Sequence, residues 1–593
     1  MSADDRTPRL LILVFCLILV LGGFLRVADI GQKSISHPEM YTPGIRMPAE
    51  LSHPRERVTL TQVLTGTFSS DTHPPAYYVL LLYWTRIFGA DLVSIRLPSV
   101  LFGLTSVLLL VWCGHLCGEK QAAWLAGCLL ALHGPHAFWS QVARMYAFAC
   151  FLGLFSTGLL LQLIRGKGSR RLLSVLYVLV TFVGVASHIY YWPLFLTQIA
   201  YVFLRAVGER EAMHGILRVQ ILALILTSLL LATSAYQSGN EVATLSGQPL
   251  IQFPEYLSFA YLVPIGFSQR FDRMPELVQL VGPFLFHLSC IAFAIAVLSV
   301  YFAIRRKKPE ALPIAPWTAG PSRASWISAA VFSGAAILVF VLVASAYARP
   351  AQNRAVRISQ AFVVLPFLVS IGGIFLEKKW TLVSRWVSRL RLSEWASDPR
   401  SLLGALAFGP FLVLSVLSLV RPALLPRGMT VYAPYLLLLI AAGLVQIVRR
   451  QRAIAVLIVV VLLGLHTVSL ATHVRARIDP VDFHAFAGRV LPEILPGDTV
   501  LIHKEYGATP MLFYLKEERC NCNLVEMKLA EKVLKDPESV RVWFLTFYEG
   551  RPPEFLREAL RQFRRDRVIE MPEAHAVLYV RHEVSERPTP SAE

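Results

Sequence analysis

The chain has 593 residues, 55% of them hydrophobic and 16% charged, with a mean hydropathy of +0.54. Apolar runs near the roughly 20 residues that a membrane helix needs recur along it, which excludes an ordinary soluble domain and predicts a polytopic α-helical membrane protein. The excess of 57 basic over 39 acidic residues, +18 in all, lies largely in short clusters between apolar runs, so it reads as a topology signal and not as a nucleic-acid surface.

The first run, 10-LLILVFCLILVLGGFLRV-27, is long and lacks an obvious small-x-small cleavage site, so it reads as a retained first helix. After it, 69-SSDTHPPAYYVLLLYWTRIFG-89 begins as a polar loop and turns into an apolar helix at 76–88, too short to cross a bilayer. Further runs fall at about 96–116, 121–138, 144–164, 172–187, 191–206, 216–235, 279–303, 325–347, 358–376, 401–420, 431–448 and 453–472. With the first run that gives about thirteen crossings. The basic clusters 165-RGKGSRR-171, 305-RRKK-308, 377-EKKWTLVSRWVSRLRL-392 and 449-RRQR-452 are assigned to the cytoplasm by the positive-inside rule. Threading the runs between them puts the N-terminus inside, residues 29–95 outside with an interfacial helix, and everything after 472 outside.

Six cysteines (Cys16, Cys113, Cys117, Cys128, Cys150, Cys290) lie in or beside apolar runs and read as small packing residues; 519-RCNC-522 is too closely spaced for an ordinary loop-closing disulfide. From 473 the composition changes. An amphipathic helix, a Pro-Gly-Asp turn, a buried strand VLIH and another helix follow one another over 480–515. Strand-like runs at 541–547 and 576–580 bracket a charged helix at 552–567, so 473–581 reads as a small external α/β domain and 582–593 as a disordered tail.

On the inferred external face, polar residues collect near helix ends: His37, Glu39, His53, Asp71 and His73 in the first loop; Gln141, Arg144 and Tyr146; His188 with Tyr190 and Tyr191; and Arg421, Arg427 and Tyr432. The loop 348-ARPAQNRAVR-357 keeps Arg349, Arg354 and Arg357 on the face the rule disfavours, which suits an anionic ligand or a solvated loop. Each residue also has a bland reading. Asp71 can cap the following helix, Arg144 can anchor to headgroups, and His188 can belong to an aromatic belt.

The ordered set of an acidic first loop, HPPAYYVLLLYW, SIRLPSVLFG, SQVARMYAF and RPALLPRGMTVYAPYLLLLIAAGL resembles membrane-embedded polyprenyl-phosphate-sugar-dependent glycosyltransferases. More narrowly it is similar to the bacterial protein mannosyltransferase and aminoarabinose transferase group, glycosyltransferase family 39. The resemblance covers nearly the whole chain, domain 1–472 as the transferase and 473–581 as the external domain, and implies a GT-C fold in the cytoplasmic (inner) membrane with a periplasmic C-terminal domain. It implies transfer of one sugar, with inversion, from a lipid-linked phosphate donor, with a first-loop acid as base. Family members usually show Asp-Glu there. In 37-HPEMY-41, Glu39 matches the second acid and Pro38 stands where the Asp would be; likewise Val142 stands where a Glu is common.

On that reading Glu39 is the base and Asp71 its rival, while His73, Arg144, Tyr146, His188, Arg357 and Arg427 bind donor phosphate or substrate. The partners are a polyprenyl-phosphate sugar, membrane lipid and an acceptor that the sequence leaves open among protein, lipid and glycan; nucleic acid is not among them. No cofactor is certain. His37, Glu39, Asp71 and His73 are residue types that ligate a divalent cation such as Mg or Mn, although their spacing matches no metal signature. The alternatives are a lipid-linked glycan ligase or polymerase, a transporter, and a non-catalytic membrane binding protein.

Overall fold

The computed structural model describes residues 3–45, 58–65, 73–238, 399–418, 426–448, 451–475 and, with short interruptions, 479–582. The expected runs 279–303, 325–347 and 358–376, together with Asp71 and Arg357, lie outside the described residues.

The apolar runs within the described residues become helices. In order they are α1 (Ala3–Val27), α2 (Leu60–Thr65), α3 (Ala76–Phe88), α4 (Leu92–Leu116), α5 (Lys120–Ala131), α6 (Gly134–Ser140), α7 (Tyr146–Arg165), α8 (Arg170–Val185), α9 (Tyr191–Gly208) and α10 (Arg210–Ser238), followed by helices Pro399–Ser418, Pro426–Met429, Ala433–Val448 and Arg452–Arg475. Two of the described helices, α4 and α7, are long and apolar enough to cross a membrane, and shorter apolar helices include Leu11–Val27, Ser401–Leu414 and Ala433–Val448. Exposed apolar side chains run along single faces, Leu13, Leu17, Leu21 and Phe24 on α1 and Leu172, Val175, Leu179 and Phe182 on α8. Rows at this helical spacing, facing out of the bundle, suit contact with lipid better than with water.

Local chemistry sets where the helices stop. The Asp91 carboxylate accepts from the N–H groups of Val93 and Ser94 and starts α4. Gly166, at φ +66, takes the left-handed position that ends α7 before the basic cluster. The run at 121–138, expected as one crossing, is broken. His133 accepts the His136 N–H on Nδ1, Pro135 removes a helix donor, and the chain restarts as α6. Arg26 at the end of α1 closes the break, donating to the last carbonyls of α5, Leu130 (3.3 Å) and Ala131 (2.7 Å).

After helix Phe483–Val490 the chain forms a mixed five-stranded sheet in the order β2-β1-β3-β5-β4. Its strands are β1 (Thr499–His503), β2 (Asn523–Val525), β3 (Arg541–Phe547), β4 (Phe563–Met571) and β5 (Ala574–Arg581). β1 pairs in parallel with β2 and β3, and β5 runs antiparallel between β3 and β4. The helix expected over 552–567 is corrected: only Glu554–Ala559 is α-helical, and Phe563–Met571 forms an edge strand. Its charged residues sit on that edge, where a register shift between Arg565 and Arg567 and the charges themselves discourage further strand pairing.

Candidate functional site

The site begins with a turn wound around an arginine. After α1, Asp29 adopts φ +56, a conformation aspartate tolerates, and the chain folds back to a short 3-10 turn, His37–Tyr41. At its centre is Arg96, from the first turns of α4. All five guanidinium N–H directions are used: Nε and Nη2 donate to Glu39 at 2.8 Å each, Nη1 to the carbonyls of Ile30 and Lys33, and Nη2 also to Ser34. Both side chains are almost wholly buried.

Glu39 is saturated in return. Oε1 also accepts the Ala143 N–H at 2.9 Å, and Oε2 the N–H (3.1 Å) and hydroxyl (3.0 Å) of Ser36. Burial alone works against its charge, but the Arg96 charge and these bonds outweigh it and hold the carboxyl below its usual range. The nearby Lys33 ammonium, pushed down to about 8 by burial and then by Arg96, donates to Gln141 Oε1 at 2.6 Å. Gln141 in turn donates to the carbonyls of Leu25 and Arg26, so it serves the end of α1.

The same turn positions Arg144, which is buried and donates through Nη1 to the Pro38 carbonyl (3.1 Å) and the Tyr78 hydroxyl (2.6 Å). Where the family resemblance expects a carboxylate at position 38, a backbone carbonyl therefore meets an arginine. α3 supplies the wall. Its guanidinium-facing ring is Tyr78, 5.9 Å from the Arg144 carbon, and its Tyr77 hydroxyl lies 2.7 Å from Ser99 Oγ, which donates to the Arg144 carbonyl.

Two residues after Arg144 an aromatic cluster begins. Tyr146, which opens α7, has its ring 5.0 Å from that of His188, and His73 approaches His188 from another side at 5.9 Å. His188 accepts the Tyr190 N–H on Nδ1 at 3.1 Å, which leaves the proton of the neutral imidazole on Nε2. The Ala76 N–H, at the start of α3, donates to the Ala186 carbonyl at 2.8 Å and ties this turn to the wall. Finally, the helix Pro426–Met429, which carries the half-buried Arg427, is seated on Tyr190: the Tyr432 hydroxyl donates to the Tyr190 carbonyl, and Gly428 touches the Tyr190 ring.

Glu39 and Arg144 thus meet at the His37–Tyr41 turn, His73, Tyr146 and His188 form a separate ring cluster, and α3 touches both, through Tyr78 and the Ala76 N–H, with the Arg427 helix at the edge of the second. Arg96 and Tyr78 are central members that the sequence reading did not single out. Arg96 carried a signal, since an arginine inside an apolar run demands a partner.

A divalent cation finds a poor donor set here. Both Glu39 oxygens are engaged by a cation and N–H or O–H donors, and the His37 ring packs edge-on against Tyr41 at 5.4 Å. Among the described residues no group of three His, Cys, Asp or Glu side chains is placed to hold a metal.

No protein-family model and no curated protein matches the sequence. Solved structures similar to it include ArnT from Cupriavidus metallidurans in the apo state, at 13% identity, covering 97% of this chain and 98% of that one with a TM-score of 0.40. The same protein bound to undecaprenyl phosphate aligns at 12% identity over 99% and 100% of the two chains, TM-score 0.39. The oligosaccharyltransferase AglB from Archaeoglobus fulgidus, in complex with an inhibitory peptide and a dolichol-phosphate, aligns at 12% identity over 97% of this chain and 75% of that one, TM-score 0.43.

Proposed function

We propose that the protein transfers a sugar from a polyprenyl-phosphate-linked donor to an acceptor at the external face of the cytoplasmic membrane. The observation that carries this reading is the short helix α3, whose Tyr78 holds Arg144 and whose first N–H holds the turn before His188, itself in ring contact with Tyr146 and His73. A donor with its tail in lipid and its phosphate at the interface needs fixed cations beside an interfacial wall, and Arg144, Arg427 and Arg357 are assigned to that phosphate. As the sugar–phosphate bond breaks, charge grows on the leaving phosphate, and a preorganised guanidinium stabilises it by about 3 kcal/mol per contact.

The acid roles divide. A general base needs an open lone pair, and Glu39 spends both oxygens on Arg96, Ser36 and Ala143. We therefore assign Glu39 to holding the loop and Asp71 to the acceptor proton. Cys522 in the C-terminal domain is disulfide-bonded, a correction to the expectation that 519-RCNC-522 is too closely spaced for one.

The test incubates purified protein in lipid with a panel of polyprenyl-phosphate sugars and follows donor consumption. Consumption of one donor class, lost in Arg144→Ala, is expected. A saturated Glu39 also favours a second reading, a binding protein for lipid-linked phosphate; donor bound with no turnover under any acceptor would select it.

A further inference from the structure

The C-terminal domain reaches the first loop through main-chain bonds. The Ile35 N–H donates to the Tyr514 hydroxyl at 2.9 Å, and the His37 N–H to Asp479 Oδ2 at 2.8 Å. In the other direction, the Phe483 N–H donates to Ser34 Oγ at 3.1 Å. Around these bonds Ile35, Met40, Ile45 and Ala143 share one apolar core with Phe483 and Met511 of the domain. The loop and the domain are therefore one packed unit, not neighbours across solvent.

What makes this more than packing is where the bonds fall. Ile35 and His37 flank Ser36, whose N–H and hydroxyl hold Glu39; Glu39 in turn takes the Ala143 N–H, and the next residue, Arg144, is held by the Pro38 carbonyl. A buried N–H without an acceptor is costly, so removing the Tyr514 hydroxyl or the Asp479 carboxylate gives the loop a reason to shift. Burial pushes the Tyr514 hydroxyl up to about 12, so it remains a neutral O–H at physiological pH and accepts the Ile35 bond unchanged.

We propose that Tyr514 and Asp479 are positioning residues: the C-terminal domain sets the shape of the first loop and, through Glu39 and Pro38, the placement of Arg144. The consequence for turnover rests on the donor-transfer reading above; the consequence for the loop does not.

The test uses the full chain reconstituted in lipid, with two readouts: amide exchange in peptides covering 34–42, and steady-state kinetics with a consumed donor. Tyr514→Phe keeps the ring and removes the hydroxyl. It is expected to speed exchange in 34–42 about tenfold and to lower kcat about tenfold with donor KM within about twofold, because Arg144 acts on charge that develops as the bond breaks. Asp479→Ala should do the same, while Asp479→Asn, which keeps a side-chain oxygen acceptor, should restore both readouts. Leu534→Ala opens a cavity in the core on the opposite face of the sheet, which holds no first-loop residue, and serves as the control for general weakening. It should lower the melting temperature and leave both loop exchange and kcat as in the wild type. Unchanged exchange in Tyr514→Phe and Asp479→Ala, or equal changes in Leu534→Ala, overturns the proposal. If the wild-type protein consumes no donor, the transfer reading fails on that result alone, and the exchange pattern still decides the positioning role.

Discussion

At the scale of single residues, Glu39 divides two accounts of the site. As a loop-holding ion its removal is a folding event, because the Arg96 charge stays buried against a neutral partner, at about 3–5 kcal/mol when one member of such a pair is lost. Glu39→Gln should therefore lower the melting temperature and speed exchange in the first loop. A catalytic base alone would leave both unchanged and abolish turnover. The pH dependence has a definite sign. The fold favours the ionised carboxylate, so its stabilisation is fully present above the ordinary value of 4.5 and is lost as pH falls through the depressed folded value. Loop protection in the wild type should persist at pH 5 and fade only below the usual carboxylate range, and in Glu39→Gln that acid step should vanish. Arg144 is tested by Lys, which keeps the charge and loses the planar, two-pronged guanidinium that matches a phosphate. A drop in donor use of at least tenfold is expected, and wild-type kinetics in Arg144→Lys would remove it from the phosphate site. The sequence displayed the residue types here but not their pairing. Arg96 and Glu39 are 57 positions apart, and the stretch SIRLPSVLFG reads as a helix start until something shows what the arginine faces.

At the scale of elements, the sequence is legible where length and periodicity decide and illegible where a neighbour decides. The 13-residue α3 was visible because its apolar stretch is bounded by two prolines and Gly89. The break between α5 and α6 was hidden in a run that stays apolar across His133-Gly134-Pro135, and it depends on Arg26 from α1 accepting the role of a cap. β4 is illegible in the sequence because alternating charges on a sheet edge resemble a solvated helix face, and only pairing with β5 distinguishes them. The element with the most direct bearing on the site is Pro426–Met429. A Cβ on Gly428 would lie 2.4 Å from the Tyr190 ring, too close for any real contact, so the helix and its Arg427 sit against Tyr190 only because residue 428 has no side chain. Gly428→Ala should push the helix off the ring, raise donor KM several-fold and cost about 1–3 kcal/mol of stability by overpacking. Tyr190→Leu, which makes room, should recover part of both in the double variant. Additive losses in that double variant would mean the two do not meet.

At the scale of the whole molecule, sidedness ties the chain together. Charge bookkeeping assigns residues 29–95 and everything after 472 to one face, using only basic clusters that lie elsewhere in the sequence. The bonds from Ile35 and His37 to Tyr514 and Asp479 require the same thing for a different reason, since main-chain groups cannot bond across a bilayer. That contact was beyond the sequence, because it joins residues 479 positions apart through a tyrosine with no distinguishing neighbours. The absolute direction is open to labelling. Val93 and Lys535 are exposed, one at the start of α4 and one in the C-terminal domain, whereas Lys167 is exposed within the basic cluster after α7. With each replaced singly by cysteine in a background lacking other reactive thiols, Val93→Cys and Lys535→Cys should react with an impermeant reagent in intact cells, and Lys167→Cys only after permeabilisation. Opposite behaviour of Val93→Cys and Lys535→Cys would separate the first loop from the domain and dissolve the site; reaction of Lys167→Cys alone would keep the site whole and turn it to the cytoplasm, where an external acceptor could not reach it.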